Sequence, residues 1–226
     1  MRDYLRIVWA IVAKDAVVEW RTKTAFLSAL VFAILVLSVL YFARDPTAVS
    51  SLAVAPGALW VTFTFAAMLG LNRAFLLERE NRAMDGLLLT PAPRTAIFVG
   101  KMTANLLFVG LIELVSLPLF VLFYNVSLWA QLPALLAVMA MATVAFVAIG
   151  TLLSSMVVRT RFAELMLPVL FLPFLIPPIV GAVQVTARVL GGRPLSEMIG
   201  WLKLLAAFDI AFCVLAVLLF EATLDE

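Results

Sequence analysis

The stretch Thr95–Phe123, TAIFVGKMTANLLFVGLIELVSLPLFVLF, carries two charges, Lys101 near its start and Glu113 near its middle. A helix crosses a hydrocarbon core about 30 Å thick with roughly 20 apolar residues, so this run is long enough to span a membrane. A membrane barrel would need short alternating segments, and this run is continuously apolar. Five further runs of the same kind lie around it: Thr24–Ala43, Gly57–Leu77, Leu132–Val158, Leu165–Val183 and Leu202–Phe220. Composition agrees, with 65% hydrophobic and 13% charged residues in 226, where soluble domains run near a quarter charged. The expected fold is an all-α polytopic membrane protein: a leader helix over 1–23, then a six-helix transmembrane domain over 24–226.

Cytoplasmic loops hold the excess of Lys and Arg. Arg2, Arg6, Lys14, Arg21 and Lys23 precede span one; Arg79, Arg82, Arg94 and Lys101 surround the second loop; Arg159 and Arg161 fill the fourth. The opposite loops hold Arg44, then Arg188 and Arg193, with Lys203 at the start of span six. Both termini are therefore expected in the cytoplasm. No small-residue cleavage site closely follows the first apolar span, so the N-terminus is expected to be retained. The net charge of +2 comes from topology signals rather than a nucleic-acid patch, which leaves the lipid bilayer as the expected surroundings. A single cysteine, Cys213, excludes an intrachain disulfide.

In the leader, Leu5, Trp9, Val12, Ala16 and Trp20 share a helical stripe, while Ile7, Ile11 and Val18 fall on another side. The pattern predicts an interfacial elbow with Trp rings at headgroup level and part of its surface against protein. Span five places Pro168, Pro173, Pro177 and Pro178 in one membrane segment. Each proline removes a donor and crowds the preceding turn, so the sequence predicts a kinked helix surrounded by protein, either a moving part or a fixed bend. After it, QVTARVLGGRPLSEMIGW, within an outer loop set at 184–201, reads as two short re-entrant or surface helices.

No histidine occurs, which removes the commonest metal ligand and the usual general base. Gly100 and Lys101 imitate the end of a P-loop, but Thr95 stands where its first glycine belongs and Met102 where its Ser or Thr belongs. The chain is therefore not expected to bind ATP itself or to be an enzyme, and no metal or resident cofactor is expected on it. Glu113 and Asp209 are the candidate polar groups within the spans, as parts of a substrate path or as interhelical partners. Glu164, at the start of span five, poses the same question.

The densest charge lies in ERENRAMDGLLLTPAPR, Glu78–Arg94. Glu78 and Arg82 stand four apart with the acid first, the favourable order for a helical ion pair, ahead of Gly86. Leu87, Leu88 and Leu89 follow as an apolar patch, and Pro91 and Pro93 end it. Charges of both signs beside leucines suit a docking surface for a soluble partner; a solvated loop folded back on the bundle is the alternative.

Extended to Lys101, this segment resembles the coupling segment of ABC-2 type transporter permeases. Within that superfamily the chain is similar to the haem exporter protein B (CcmB) family. The resemblance also runs through KDAVVEWRTK in the leader, LNRAFLLERE leaving span two, GKMTANLLF entering span three, LMLPVLFLPFLIPPIVGA in span five and FDIAFCVLAVLLFEATLDE at the end. It implies a type V exporter-like permease in the bacterial inner membrane, working in cytochrome c biogenesis. Glu78, Arg79, Glu80, Arg82 and Asp85 would seat on a separate ATPase subunit (CcmA-like), with Arg159 and Arg161 as a second contact and Pro168, Pro173, Pro177 and Pro178 in the gating span. ATP would be bound by that partner and haem would be the substrate of the complex. The other implied partners are a second permease copy, a haem-handling membrane protein (CcmC-like), a small membrane subunit (CcmD-like) and a haem chaperone (CcmE-like). An ABC-2 permease for a lipid, polysaccharide or drug, and a non-transporting assembly scaffold, are the competing readings.

Overall fold

The computed structural model describes residues 2–45, 47–80, 86, 90, 92–126, 131–157 and 163–223. The leader is helix α1, Arg2–Thr22. Spans one to six follow as α2, Thr24–Phe42; α3, Ser51–Glu80; α4, Arg94–Tyr124; α5, Leu132–Val157; α6, Ala163–Leu190; and α7, Ile199–Thr223. Each contains a segment long and apolar enough to cross a membrane, so the six-span reading stands.

Helix α3 lies between α2 and α6, and α4 packs behind it against α1, α2, α3, α5 and α7. The α2 contact is made by Ala25, Ala29, Ala33 and Leu37, all fully buried at intervals of four residues. Small side chains on one stripe let two backbones approach closely, the principal means of packing where lipid gives no hydrophobic drive between helices. Ala29 and Ala33 meet Ala66 of α3 and Ile112 of α4 in one apolar cluster. The main core joins α3, α4, α5 and α6 around Trp60, Phe63, Phe120, Phe146 and Phe171.

The chain turns from α1 into α2 at Lys23, whose φ of 55° is left-handed. Such a conformation costs an L-residue roughly 1–2 kcal/mol, and here hydrogen bonds hold it. The Lys23 amide donates to the Glu19 carbonyl, and Glu19 Oε1 accepts the Phe26 N–H in the first turn of α2 at 2.8 Å. The elbow is thus fixed at its corner.

Two expectations change. Helix α6 runs unbroken to Leu190, and the stretch after it contains only a three-residue 3₁₀ turn, Leu195–Glu197, before α7 begins. Its polar residues are absorbed in place: Thr186 accepts from Trp60, and Arg188 bonds Gln184 and lies over the Trp201 ring. The break comes at Gly191–Gly192, where Gly192 has a φ of 65° and Arg193 N–H caps the Arg188 carbonyl. Left-handed glycine closing a helix in this way is favoured because no Cβ opposes it. This chain by itself covers only part of the proline-rich helix. Pro178 is buried and Pro173 exposed, and Val169, Phe174, Ile176 and Val180 point away from the bundle.

Candidate functional site

Helix α1 packs against the start of α4, the helix into which the predicted docking segment 78–94 leads. Ile11 and Val12 of α1 are buried, and Ile11 packs with Ile97, Phe98, Leu152 and Phe220. Gly100 makes the fit possible, because a Cβ there would lie 2.9 Å from the Ile11 Cβ. The glycine that imitates a P-loop is therefore a helix-packing residue. Leu5, Trp9 and Trp20 remain exposed as an interfacial stripe requires, but Val12 of that stripe turns into the protein.

Beside Gly100, the side chain of Lys101 is 6% exposed and its Nζ lies 3.1 Å from Asp15 Oδ2. Lys14 Nζ contacts the other oxygen at 2.7 Å. An ammonium this deep requires a carboxylate partner, since an unpaired charge would be costly to bury. Lys101, read from sequence as a topology signal, instead clamps the leader to α4. The only hint of this was a charge less than two turns inside an apolar run, and its partner is 86 residues away.

Glu78, Arg79 and Glu80 stand in the last turns of α3, whose backbone is helical through Glu80. Arg82, Asp85, Arg159 and Arg161 lie outside the described residues. By connectivity, the segment 78–94 leaves α3 and returns at Arg94, less than two turns before the Gly100–Ile11 contact. A pull on it would therefore reach α4 and the clamped leader together.

Deeper in the bundle, polar groups stitch α4 to α5. Asn105 Nδ2 donates to Thr151 Oγ1 at 3.0 Å, and Thr143 Oγ1 lies 2.7 Å from Glu113 Oε2. The two pairs are eight residues apart on each antiparallel helix, about 12 Å along the axis, and so report one register. Trp60 Nε1 donates to Thr186 Oγ1 at 2.8 Å, joining α3 to α6. Hydroxyls of Thr62, Thr103, Ser116 and Ser154 return to carbonyls four residues earlier in their own helices. That is the usual way for Ser and Thr to be satisfied within a helix.

Glu113 is buried, with Oε1 lacking a hydrogen-bond partner among the described residues. Asp209 is half-buried with one oxygen in the same condition, and no described hydrogen bond joins the two carboxyls. Glu113 thus reaches α5 through Thr143, and Asp209 is not among its described hydrogen-bond partners. Nothing is described of the Glu164 side chain.

The sequence model of the family described as CcmB protein matches residues 6–226, nearly the whole chain. This chain belongs to the CcmB family. It is 27% identical to heme exporter protein B of Pseudomonas aeruginosa over 92% of both chains. The protein of that name from Paracoccus denitrificans is 29% identical over 92% of this chain and 93% of its own. That from Rhodobacter capsulatus is 25% identical over 89% and 92%. CcmB family membership therefore covers the leader, all six spans and the intervening loops at once.

Proposed function

We propose that this chain is the permease subunit of an ABC transporter that delivers haem to the periplasm for cytochrome c maturation. The end-to-end match to heme exporter proteins B carries this reading. It sits in the inner membrane with both termini cytoplasmic, and a separate ATPase subunit docks on Glu78–Arg94 with Arg159 and Arg161 as a second contact. The outward apolar faces of α2 and α6, including Val31, Leu35, Val39, Val169 and Ile176, meet lipid or the second permease copy. A haem-handling membrane protein, a small membrane subunit and a haem chaperone complete the assembly.

Two mechanisms fit such a subunit: haem moves through it, or it converts ATP hydrolysis into release of the haem-loaded chaperone. Mechanical coupling is favoured by where the interior polar groups go. Asn105, Thr143, Thr151, Trp60 and Thr186 spend their hydrogen bonds on helix–helix contacts rather than on a lined path. The complex reconstituted in vesicles tests this. Coupling predicts ATP turnover with chaperone release and no haem inside the lumen; ATP-dependent haem accumulation without chaperone would establish translocation instead.

A further inference from the structure

Glu113, midway along α4, is 2% exposed, and its described hydrogen-bond partner is Thr143 of α5. The hydrogens around that contact can be counted. Thr143 Oγ1 lies 2.7 Å from Glu113 Oε2 and also 2.7 Å from the Met139 carbonyl, four residues earlier in α5. Both are ordinary O–H···O distances. A hydroxyl owns one hydrogen and a carbonyl can only accept, so Thr143 donates to Met139, as serines and threonines in helices usually do. The hydrogen between Thr143 and Glu113 then comes from the carboxyl, with Glu113 Oε2–H donating. An ionised Glu113 would leave one hydrogen to serve two acceptors.

The other carboxyl oxygen agrees. Oε1 is buried with no hydrogen-bond partner among the described residues. On a carboxylate it would carry unpaired charge inside the bundle, which is costly; on a neutral acid it is a carbonyl oxygen, whose isolation costs far less. No cation answers it among the described ion pairs. Helix α5 has no titratable side chain from Leu132 to Val157, and α2 has only Tyr41, in its last turn. On α1, Asp15 is held by Lys101, twelve residues before Glu113. On α3, Gly70 already lies against Phe108 and Ile112, so Arg73, Glu78 and Glu80 fall level with earlier turns of the antiparallel α4. Helix α7 carries Lys203, Asp209, Cys213 and Glu221, and no described hydrogen bond or ion pair joins them to Glu113.

We propose that in this conformation Glu113 is a neutral acid whose proton fastens α4 to α5, and that the helices part at this level only when water reaches the carboxyl and takes that proton. A hydrated glutamate, with an ordinary pKa of about 4.3, is ionised at neutral pH. Once ionised it has no hydrogen to return to Thr143. The seam therefore carries one proton when closed and none when open, whatever the assembled complex transports.

Infrared difference spectroscopy of the full chain in nanodiscs at neutral pH tests the proton. A protonated carboxyl shows a C=O stretch separate from the carboxylate bands, and subtracting the Glu113→Gln spectrum should isolate one. Asp209→Asn should leave that band in place. Thr143→Val should keep it and raise its frequency, because the acid loses its acceptor; this variant decides alone if Glu113→Gln fails to fold. A carboxylate band in the Glu113→Gln difference, an acid band removed only by Asp209→Asn, or a frequency unmoved in Thr143→Val overturns the proposal. Amide hydrogen exchange, corrected for its intrinsic pH dependence, tests the fastening. As pH is raised until the acid band disappears, exchange in 109–116 and 139–147 should rise about tenfold, the scale of one lost hydrogen bond. Glu113→Gln, which cannot ionise and still donates to Thr143, should show no such rise. Loss of the band with unchanged exchange, or an equal rise in Glu113→Gln, overturns the latch.

Discussion

The two ends of α4 place a cation beside a buried polar side chain and resolve it in opposite ways. At the leader end, Lys101 is answered within the chain by Asp15, and the pair locks α1 to α4. At the other end, Asp45, next to Arg44 in sequence, accepts from Thr47, and the Arg44 Nε and the Tyr124 hydroxyl have no acceptor among the described residues. The first arrangement is complete by itself and suits a part that must transmit force. The second is left incomplete among the described residues.

The sharpest way to break this contrast is at Lys101. Asp15→Asn removes the carboxylate that faces the buried Lys101 ammonium and should cost roughly 3 kcal/mol, the scale for breaking a buried pair from one side. Thermal unfolding in detergent measures it, and adding Lys101→Met should restore part of the loss; no recovery would mean the pair is incidental to the leader's docking. Gly100→Ala forces the Ile11 Cβ away and should destabilise by about 1–3 kcal/mol through overpacking. Pairing it with Ile11→Ala removes the Cδ1 and Cγ2 contacts at 3.1 Å but keeps the Cβ contact at 2.9 Å, so only part of the loss should return, and Trp20 fluorescence follows whether the leader lifts. Thr143→Val removes the described partner of Glu113 and should cost about 1–3 kcal/mol, with Glu113→Gln milder because it keeps a hydrogen bond to Thr143. Equal losses for the two substitutions would deny the interhelical bond.

The smallest expected effect lies in the loop between α2 and α3. The Thr47 hydroxyl and then the Thr47 amide hold the exposed Asp45 carboxyl below its ordinary pKa. A depressed folded-state value means that the loop contribution is present above the unfolded carboxylate pKa and is lost as pH falls through the lower folded value. Thr47→Val should move the Asp45 titration, followed by NMR, back toward the ordinary range; an unmoved midpoint would show that the turn does not hold the carboxyl.

Much of the bundle was legible because span length is a property of consecutive residues. Helix ends shifted where local rules are permissive. Helix α3 starts at Ser51 because Pro56, near its beginning, does not stop it, and α6 reaches Leu190 because nothing before Gly191 breaks it. The pairings were not legible. Trp60 finds Thr186, Asn105 finds Thr151 and Lys101 finds Asp15 at separations of 126, 46 and 86 residues, and no local pattern encodes such distances. Glu113 announced itself as a lone acid in an apolar run, but its choice of Thr143 over Asp209 depended on how α4 rolls against α5. The coupling residues were readable only as a charge pattern and a family likeness.

The most direct measurement is ATP hydrolysis by the partner ATPase co-reconstituted with this chain in vesicles. Hydrolysis should be stimulated by the unaltered chain and should fall to the partner's basal rate with Glu78→Arg and Arg82→Glu, while the purified chain alone turns over nothing. Undiminished stimulation by both charge reversals, or hydrolysis by the chain alone, would contradict the assignment of a passive permease driven through its second-to-third span segment.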